Sequence, residues 1–192
     1  VIPAVYNLGN ASTRPSTVES NTRKRVNSLY AVADFDYKNL LFLQLTGRND
    51  WSSALPESNN SYFYPSLSVS AILSDMLKIS SPWLDFWKLR TSYAQVGNDT
   101  DPYQTNPYYD YSVLPGAVSL PETLPNTDLK PEITSSFELG TEFKLFKDRL
   151  GVDFTWYASE SKNQILRSPL SVSTGYSAQV MNAGKITNKG WE

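Results

Sequence analysis

The sequence of 192 residues contains neither cysteine nor histidine. Without cysteine the chain cannot form a disulfide bond or a thiolate metal site. Without histidine it lacks the side chain that most often serves as general base or metal ligand, and a Ser-His-Asp triad is impossible. We therefore predict no catalytic residue, no metal site and no cofactor for this chain.

Long apolar runs and a surplus of one charge sign are missing as well. No stretch approaches the roughly 20 apolar residues of a membrane-spanning helix. The first residues, VIPAVYNLGNASTRPS, lack the basic and apolar segments of a signal peptide. The chain is therefore either cytosolic or a mature or internal piece of an exported protein. The 17 basic and 19 acidic residues form no basic stripe, which gives no reason to expect nucleic-acid binding.

What the sequence does have is alternation, as in the stretch WKLRTSYAQVGN at residues 87–98. Trp87, Leu89 and Tyr93 fall on one side of this stretch, whereas Lys88 and Arg90 fall on the other. A period of two residues is typical of a β-strand. The same pattern predicts six strands, with a seventh beginning at the C-terminus: about Asn27–Asp36, Leu40–Asp50, Tyr64–Leu73, Trp87–Asn98, Ser135–Phe146 and Leu150–Ser161. In each of them apolar residues alternate with residues on the opposite face, and these opposite faces repeatedly carry Asp, Glu, Lys or Arg.

The connections between these strands alternate in length. Short turns are predicted at Tyr37–Asn39, with Lys38 and Asn39 at the corner, and at the sequence FKDR. Long links are predicted at residues 51–63, 97–133 and 162–180, and a moderate link with a helical turn joins the third and fourth strands. A loop as long as residues 97–133 is uncommon in a compact domain and usually has a function or is disordered. No internal repeat and no interdomain linker is found, which indicates one domain.

Two architectures produce this alternation. A soluble antiparallel sandwich buries its apolar faces between two sheets, whereas a transmembrane barrel turns its apolar face to lipid and its polar face to a water-filled interior. Strands of about ten residues, and turns that are short at one end only, favour the barrel. Aromatic residues near the strand ends also suit a membrane interface, although core packing explains each of them equally well. These residues are Tyr37, Phe63, Tyr64, Trp83, Trp87, Phe146 and Trp156.

Several stretches, in this order, resemble one family. They are YNLGN, YAVADFDYKNLLFLQLTGRNDWSS, YFYPSLSVSAIL, WLDFWKLRTSYAQVGND, NTDLKPEITSSFELGTEFKLFKDRLGVDFTWYASESKNQIL and NAGKITNKGWE. By these motifs the chain is identified as similar to the SusC/RagA-type TonB-dependent outer-membrane transporters of Bacteroidetes. Trp51 and Ala94 depart from the family pattern, which has glycine at the first position and often at the second.

The resemblance implies an all-β fold, an antiparallel transmembrane β-barrel wall of six to seven strands within a larger barrel of about 22 strands. Residues 1–192 are then an internal part of one TonB-dependent receptor β-barrel domain, with the plug domain and the remaining strands elsewhere. The implied function is import of an oligosaccharide or peptide across the bacterial outer membrane, without chemistry on the substrate. The implied partners are a SusD-like surface lipoprotein, TonB acting through regions outside this chain, and outer-membrane lipid.

Two sets of residues are candidates for function within such a barrel wall. Tyrosine offers a flat face for stacking on a sugar or peptide and a hydroxyl group for hydrogen bonding. The ligand-binding candidates in the longest loop are Tyr103, Tyr108, Tyr109 and Tyr111. The charged candidates, expected to face the lumen, where they pair across strands or contact the plug, are Arg48, Asp50, Lys88, Arg90, Glu138, Glu142 and Asp153.

Three alternatives stay open from the sequence. The stretch NDTDP at residues 98–102 clusters oxygen donors that suit calcium, but it lacks the glycine and distal glutamate of an EF-hand, and a turn explains it as well. The chain could be a small porin or an outer-membrane enzyme, although the missing histidine argues against the enzyme. The content of tyrosine and tryptophan also fits a soluble β-sandwich carbohydrate-binding module.

Overall fold

The computed structural model describes residues 3–4, 6, 10, 21–111 and 118–192, and for Asp110 and Tyr111 it describes the backbone alone. In this part of the chain, regular structure is almost entirely β. The strands are β1 (Val26–Tyr37), β2 (Leu41–Ser52), β3 (Ser61–Ile72), β4 (Leu84–Asn98), β5 (Asp110–Tyr111), β6 (Val118–Ser119), β7 (Thr123–Leu124), β8 (Glu132–Leu145), β9 (Leu150–Lys162), β10 (Ile165–Pro169), β11 (Ala178–Asn182) and β12 (Lys185–Trp191). The helices are α1 (Leu73–Met76) and a 3-10 turn at Val172–Thr174.

The long strands form one seven-stranded antiparallel sheet in the order β1-β2-β3-β4-β8-β9-β12. Strands that are neighbours in this sheet are joined in chain order, so the sheet is an up-and-down meander. All six predicted strands are confirmed, with boundaries that differ by up to three residues, and the predicted seventh strand is β12. The predicted helical turn between the third and fourth strands is α1. Trp51 and Ala94, which depart from the family pattern, lie in regular register within β2 and β4.

Tight turns lie at one end of the sheet, as predicted. Lys38 and Asn39 adopt positive φ angles of 57° and 53°, the conformation that matches the twist of a hairpin. The amide of Asn39 donates to Oδ1 of Asp36 at 2.8 Å, which satisfies a turn donor. In the β8–β9 turn the amide of Lys147 donates to Oδ2 of Asp85 at 2.6 Å, so β4 holds the neighbouring turn in place.

The long connections meet at the opposite end of the sheet and contain short strands. β10, β11 and β7 form a three-stranded sheet in which β7 runs parallel to β11, and β5 pairs with β6. The sequence analysis predicted irregular loops here, and that prediction was wrong for these segments. Strands of two to five residues are too short to show a period of two, and their pairing joins residues far apart in the chain.

The buried apolar cluster of the described residues also lies at the loop end. It consists of Leu55, Tyr62, Leu129 and Val180, with Tyr64 and Ile165 packed against it. Leu129 is fully buried, at 0% exposure. Because these residues come from β3, β11 and two long connections, the cluster holds the loops onto the end of the sheet. No helix in the described ranges is long and apolar enough to cross a membrane.

The apolar face of the large sheet, defined here as the face that carries Leu43, Leu89, Leu139 and Phe154, is not covered by a second layer among the described residues. Leu89, Leu139 and Phe154 are 36%, 42% and 45% exposed. A soluble sandwich would bury these side chains beneath a facing sheet. The described residues therefore do not favour the sandwich alternative. β1 and β12 are the two unjoined edges of the described sheet, so the described strands do not close into a barrel among themselves.

Candidate functional site at the loop end of the sheet

Aromatic residues border the apolar face at two levels. Near the turns, Trp87 stacks on Phe143 with ring centroids 5.7 Å apart. Towards the loops, Tyr93 lies directly opposite Phe137. From Phe143 to Phe137 the strand advances six residues, about 20 Å along its axis. At the usual tilt of about 40° this gives about 16 Å between the two aromatic levels, which fits within the apolar band of about 25 Å of outer-membrane barrels.

One predicted interface residue lies elsewhere. Tyr64 stands opposite Arg48 on the other face of the sheet, and its hydroxyl donates to Oδ2 of Asp50 at 2.6 Å. The sequence placed Tyr64 among the aromatics near strand ends, although the period of two already puts it on the same face as Ser66.

All seven charged candidates lie on the face opposite to the apolar face, which we call the polar face. Directly opposite residues in a ladder share a face, and successive residues alternate. The register places Lys88 opposite Glu142, and Glu142 opposite Asp153. Arg90 lies opposite Gly140, Glu138 lies opposite Ser92, and Arg48 and Asp50 lie on β2 with the same parity. Their place on one face is established, and their contact with a lumen stays a prediction.

Two of these charges form an ion pair that spans three strands. Nη1 of Arg90 donates to Oδ2 of Asp153 at 2.8 Å, and Nη2 donates to Oδ1 at 2.7 Å. Nη2 also donates to Oγ1 of Thr155 at 2.7 Å. The guanidinium crosses above Gly140 of the intervening strand, where an added Cβ would lie 2.5 Å from Nε of Arg90. This pairing across strands is one of the two roles expected for these charges.

A second network lies nearer to the loops. Nε of Arg48 donates to Oδ1 of Asp50 at 2.8 Å, and Nη2 donates to Oγ of Ser28 at 3.1 Å. Because the hydroxyl of Tyr64 also donates to Asp50, this buried carboxylate is fully engaged by strands β2 and β3. The network links β1, β2 and β3 on the polar face just below the loops.

A cleft of about 610 Å³ opens among the loops. Its lining includes Tyr103 and Tyr108 from the longest loop, Thr123 from β7, and Ile165 and Arg167 from β10. The two tyrosines are about half exposed, at 52% and 51%. The structure thus brings two of the four tyrosine candidates together in one cavity.

The other two tyrosine candidates are not shown to be part of this cleft. Tyr109 is exposed but does not line the cavity, and for Tyr111 only its backbone position in β5 is described. Whether any of the four contacts a ligand stays a prediction.

In the stretch NDTDP, which the sequence left open between a calcium site and a turn, Asp99 contacts protein side chains. Asp99 forms an ion pair with Nζ of Lys24 and accepts a hydrogen bond from Oγ of Ser52. Nζ of Lys24 also donates to the carbonyl oxygen of Thr100 at 3.0 Å. A lysine ammonium therefore occupies the position next to this carboxylate, and the contacts fasten the start of the long loop to β2.

Charged side chains of the cleft were missed in the sequence analysis. Lys24, Arg167 and Glu132 all line it. Arg167 also lies 4.0 Å from Glu122, a contact between solvent-exposed side chains. One feature of the sequence could have placed Arg167 in a strand. Gly175 marks a turn between the short segments ILRSP and AQVMN, which pair as β10 and β11.

The comparison with family models now identifies the fold. Residues 3–192 match the model described as TonB dependent receptor-like, beta-barrel. The chain belongs to the TonB-dependent receptor family. This confirms the recognition made from the sequence motifs and the all-β barrel-wall fold. TonB-dependent receptors are in general outer-membrane receptors and transporters, not enzymes.

Curated TonB-dependent receptors of Formosa agariphila are similar over nearly the whole chain. The receptor P26 is 29% identical over 97% of this chain and 20% of its own length. The receptor P39 is 30% identical over 97% of this chain and 18% of its own length. The chain thus spans about a fifth of the length of these relatives.

Solved structures share the fold. The RagAB peptide importer in the open-open state matches with a TM-score of 0.79 and 22% identity, over 97% of this chain and 21% of the importer chain. The siderophore receptor PirA from Pseudomonas aeruginosa matches with a TM-score of 0.61 and 20% identity, over 88% of this chain and 30% of its own.

The family motifs of this TonB-dependent receptor meet at the loop end. The side chain of Asn182 accepts from the amide of Lys130 at 2.8 Å and donates to the carbonyl of Lys130 at 2.8 Å. It also donates to the carbonyl of Asn163 at 2.9 Å. Asn182 begins the NAGKITNKGWE motif, and Lys130 lies in the NTDLKPE motif, so one amide clamps the exits of both long loops.

Proposed function

We propose that this chain supplies wall strands and loops of a TonB-dependent importer that carries an oligosaccharide or a peptide across the outer membrane, together with a SusD-like surface lipoprotein. The observation that carries the proposal is the two-faced sheet. Its apolar face is uncovered, its polar face holds the charged residues, and its long loops converge on a cleft at one end.

The two faces have different solvents in this proposal. The apolar face contacts outer-membrane lipid, and the polar face lines a water-filled lumen. Residues 1–192 are part of one β-barrel domain, and the plug that TonB moves lies outside them. The Arg90–Asp153 and Arg48–Asp50 pairs keep the wall rigid while the plug moves past it.

The cleft is the proposed first contact for substrate. Tyr103 and Tyr108 present half-exposed rings, and Arg167 and Glu132 present charges of both signs in the same cavity. Flat rings beside hydrogen-bonding groups suit sugars and peptides alike. A SusD-like lid would close over this loop end. The name of the RagAB peptide importer, a structural neighbour, supports a peptide, and an oligosaccharide remains the second substrate class.

Uptake by cells is the direct test. A strain lacking the gene for the full-length receptor should fail to take up one of two fluorescent probes, a peptide mixture from a casein digest or a maltoheptaose conjugate. Restoring the full-length gene should restore uptake, and removing TonB should abolish it again. Which probe is lost assigns the substrate class.

Co-purification tests the partner. A tag on the full-length receptor should retain a surface lipoprotein in stoichiometric amount, detected by mass spectrometry. Uptake of both probes that is unchanged without the receptor or without TonB would contradict the proposal. A receptor that purifies without a lipoprotein would contradict the partner alone.

A further inference from the structure

Three lysines lie on the apolar face at its loop end, where a membrane-facing surface would otherwise be uncharged. Lys162 ends β9, and Lys185 and Lys189 lie on β12. The register places Lys189 opposite Ala158, in the row that also holds Phe137 and Tyr93. The side chains of these lysines therefore lie on the apolar face, together with the aromatic residues.

The positions of these lysines correspond to the headgroup level. Lys189 lies in the aromatic row itself. Lys162 and Lys185 lie opposite each other, four residues further towards the loops, which is about 14 Å along a strand and about 10 Å along the membrane normal at the usual tilt. The polar region of a bilayer is about 5–8 Å deep on each side. Long lysine side chains can reach back from this height to the headgroups.

One carboxylate organises the cluster without neutralising it. Glu160 accepts from Nζ of Lys162 at 2.7 Å and from Nζ of Lys185 at 2.5 Å. Like charges directly opposite each other destabilise a sheet, and Glu160 offsets this repulsion. Among the described residues of this part of the apolar face it is the single acid, so three lysines and one glutamate leave an excess of two positive charges.

A shallow groove of about 320 Å³ runs beside the cluster. Its apolar lining includes Tyr93, Phe137 and Ala158, and its polar lining includes Ser135, Glu160 and Lys189. One end of the groove is thus apolar and lies at the edge of the membrane band, while the other end carries hydroxyl and ammonium groups. A lipid with an acyl chain and an anionic headgroup needs such an apolar surface next to a basic one.

We propose that this lysine cluster, Lys162, Lys185 and Lys189, binds the phosphate of an outer-leaflet lipid whose acyl chain lies in the adjoining groove. Charge complementarity selects the ligand, because basic residues at the membrane surface attract anionic headgroups. The groove adds apolar contact beside Phe137. Glu160 pairs with two of the ammonium groups, and its negative charge opposes the binding of a phosphate.

The test uses the full-length receptor in detergent, with binding measured by native mass spectrometry. The probes are bisphosphorylated lipid A and its dephosphorylated form. The wild-type receptor should retain the phosphorylated probe preferentially. The variant K162S/K185S/K189S should bind that probe at least about tenfold more weakly, because three basic groups are lost. The control variant K144S/K147S/R149S removes the same charge at the opposite end of the same sheet and should bind as the wild type does.

A second variant makes the expected change in the opposite direction. Glu160→Gln removes the carboxylate and raises the excess to three charges. It should bind the phosphorylated probe about fivefold more tightly, since one charge near an anionic surface contributes about 1 kcal/mol and 1.4 kcal/mol is tenfold. A misfolded variant could not gain affinity, so this result separates binding from folding.

Three outcomes would overturn the proposal. They are equal binding of both probes by the wild type, wild-type affinity in the triple-lysine variant, and weaker or unchanged affinity in Glu160→Gln. None of these outcomes bears on substrate uptake, which tests the importer function separately.

Discussion

Arg90 and Asp153 are joined by two hydrogen bonds of 2.8 and 2.7 Å although a whole strand, β8, lies between them. The bridge is possible because Gly140, at the crossing point, has no side chain. Arg90 therefore links β4 to β9 across β8 on the polar face, opposite to the apolar side chains of β4. Because the carboxylate meets both Nη atoms, the pair also fixes the direction of the guanidinium group.

The crossing predicts that Gly140 cannot be enlarged. Gly140→Ala should lower the free energy of unfolding by about 1–3 kcal/mol, because the new methyl group overlaps the Arg90 side chain and forces it to move. Urea unfolding of the full-length receptor in detergent measures the change. Gly151→Ala is the control, since a Cβ there meets nothing within 4 Å. Equal stabilities of the two variants would show that Arg90 moves aside freely.

The assignment of the apolar face to lipid predicts an asymmetry between faces. Leu139→Arg should cost about 2–4 kcal/mol, because it places a charge at mid-depth on the lipid side. Ser92→Arg, on the polar face opposite Glu138, should be tolerated. Unfolding in phospholipid vesicles and the yield of folded receptor in the outer membrane give the comparison. A tolerated Leu139→Arg would contradict the lipid assignment.

Leu129 is predicted to anchor the long loop. Its side chain is fully buried in the cluster with Leu55 and Val180. Leu129→Ala should destabilise the loop end by about 2–5 kcal/mol through lost burial and a residual cavity. Limited proteolysis of the full-length receptor should then cut within residues 99–131. Leu120→Ala, at an exposed position of the same loop, is expected to leave the cleavage rate unchanged.

The Asn182 clamp predicts a local change in hydrogen exchange. Asn182→Ala removes the acceptor for the Lys130 amide and two donated bonds. A hydrogen bond contributes about 1 kcal/mol, so the Lys130 amide should exchange about fivefold faster or more. Mass spectrometry of the peptide that covers residues 126–131 reads this out. Asn188→Ala, at an exposed position of β12, is the control. If the Lys130 amide exchanged at the same rate in both alanine variants, the proposed role of Asn182 would be refuted.

The cleft predicts a ranking among the tyrosines. Tyr103→Ala and Tyr108→Ala should each weaken substrate binding by about tenfold, as expected for loss of one stacking ring worth 0.5–1.5 kcal/mol and its buried area. Tyr109→Ala should have a smaller effect because this residue lies outside the lining. The measurement is uptake of whichever probe the receptor transports. If Tyr109→Ala had the largest effect, ligand contact would lie outside the described cleft.

Much of the wall was predictable because its signal is local. The alternation around Leu89 and Arg90 identified both a strand and its two faces, and the corner at Lys38 and Asn39 was predicted from residue type. The loop end was not predictable in this way. The cleft brings together Tyr103 and Arg167, and β7 pairs with β11 although more than fifty residues separate the two strands in the sequence. A local sequence pattern cannot show contacts between residues so far apart. The three lysines on the apolar face were missed because Lys162, Lys185 and Lys189 all lie outside the six strands that the alternation predicted.

By itself, the sequence determined the strands, the turns and the division of charge between two faces, because side chains alternate with a period that depends on the backbone alone. Only the tertiary structure decided which residues of different strands lie next to each other. The register aligned Arg90 with the gap at Gly140, set Lys162 opposite Lys185 beside Glu160, and folded two long loops onto Leu129. These relationships depend on pairing between distant strands, where a shift of one residue would move every side chain to the other face.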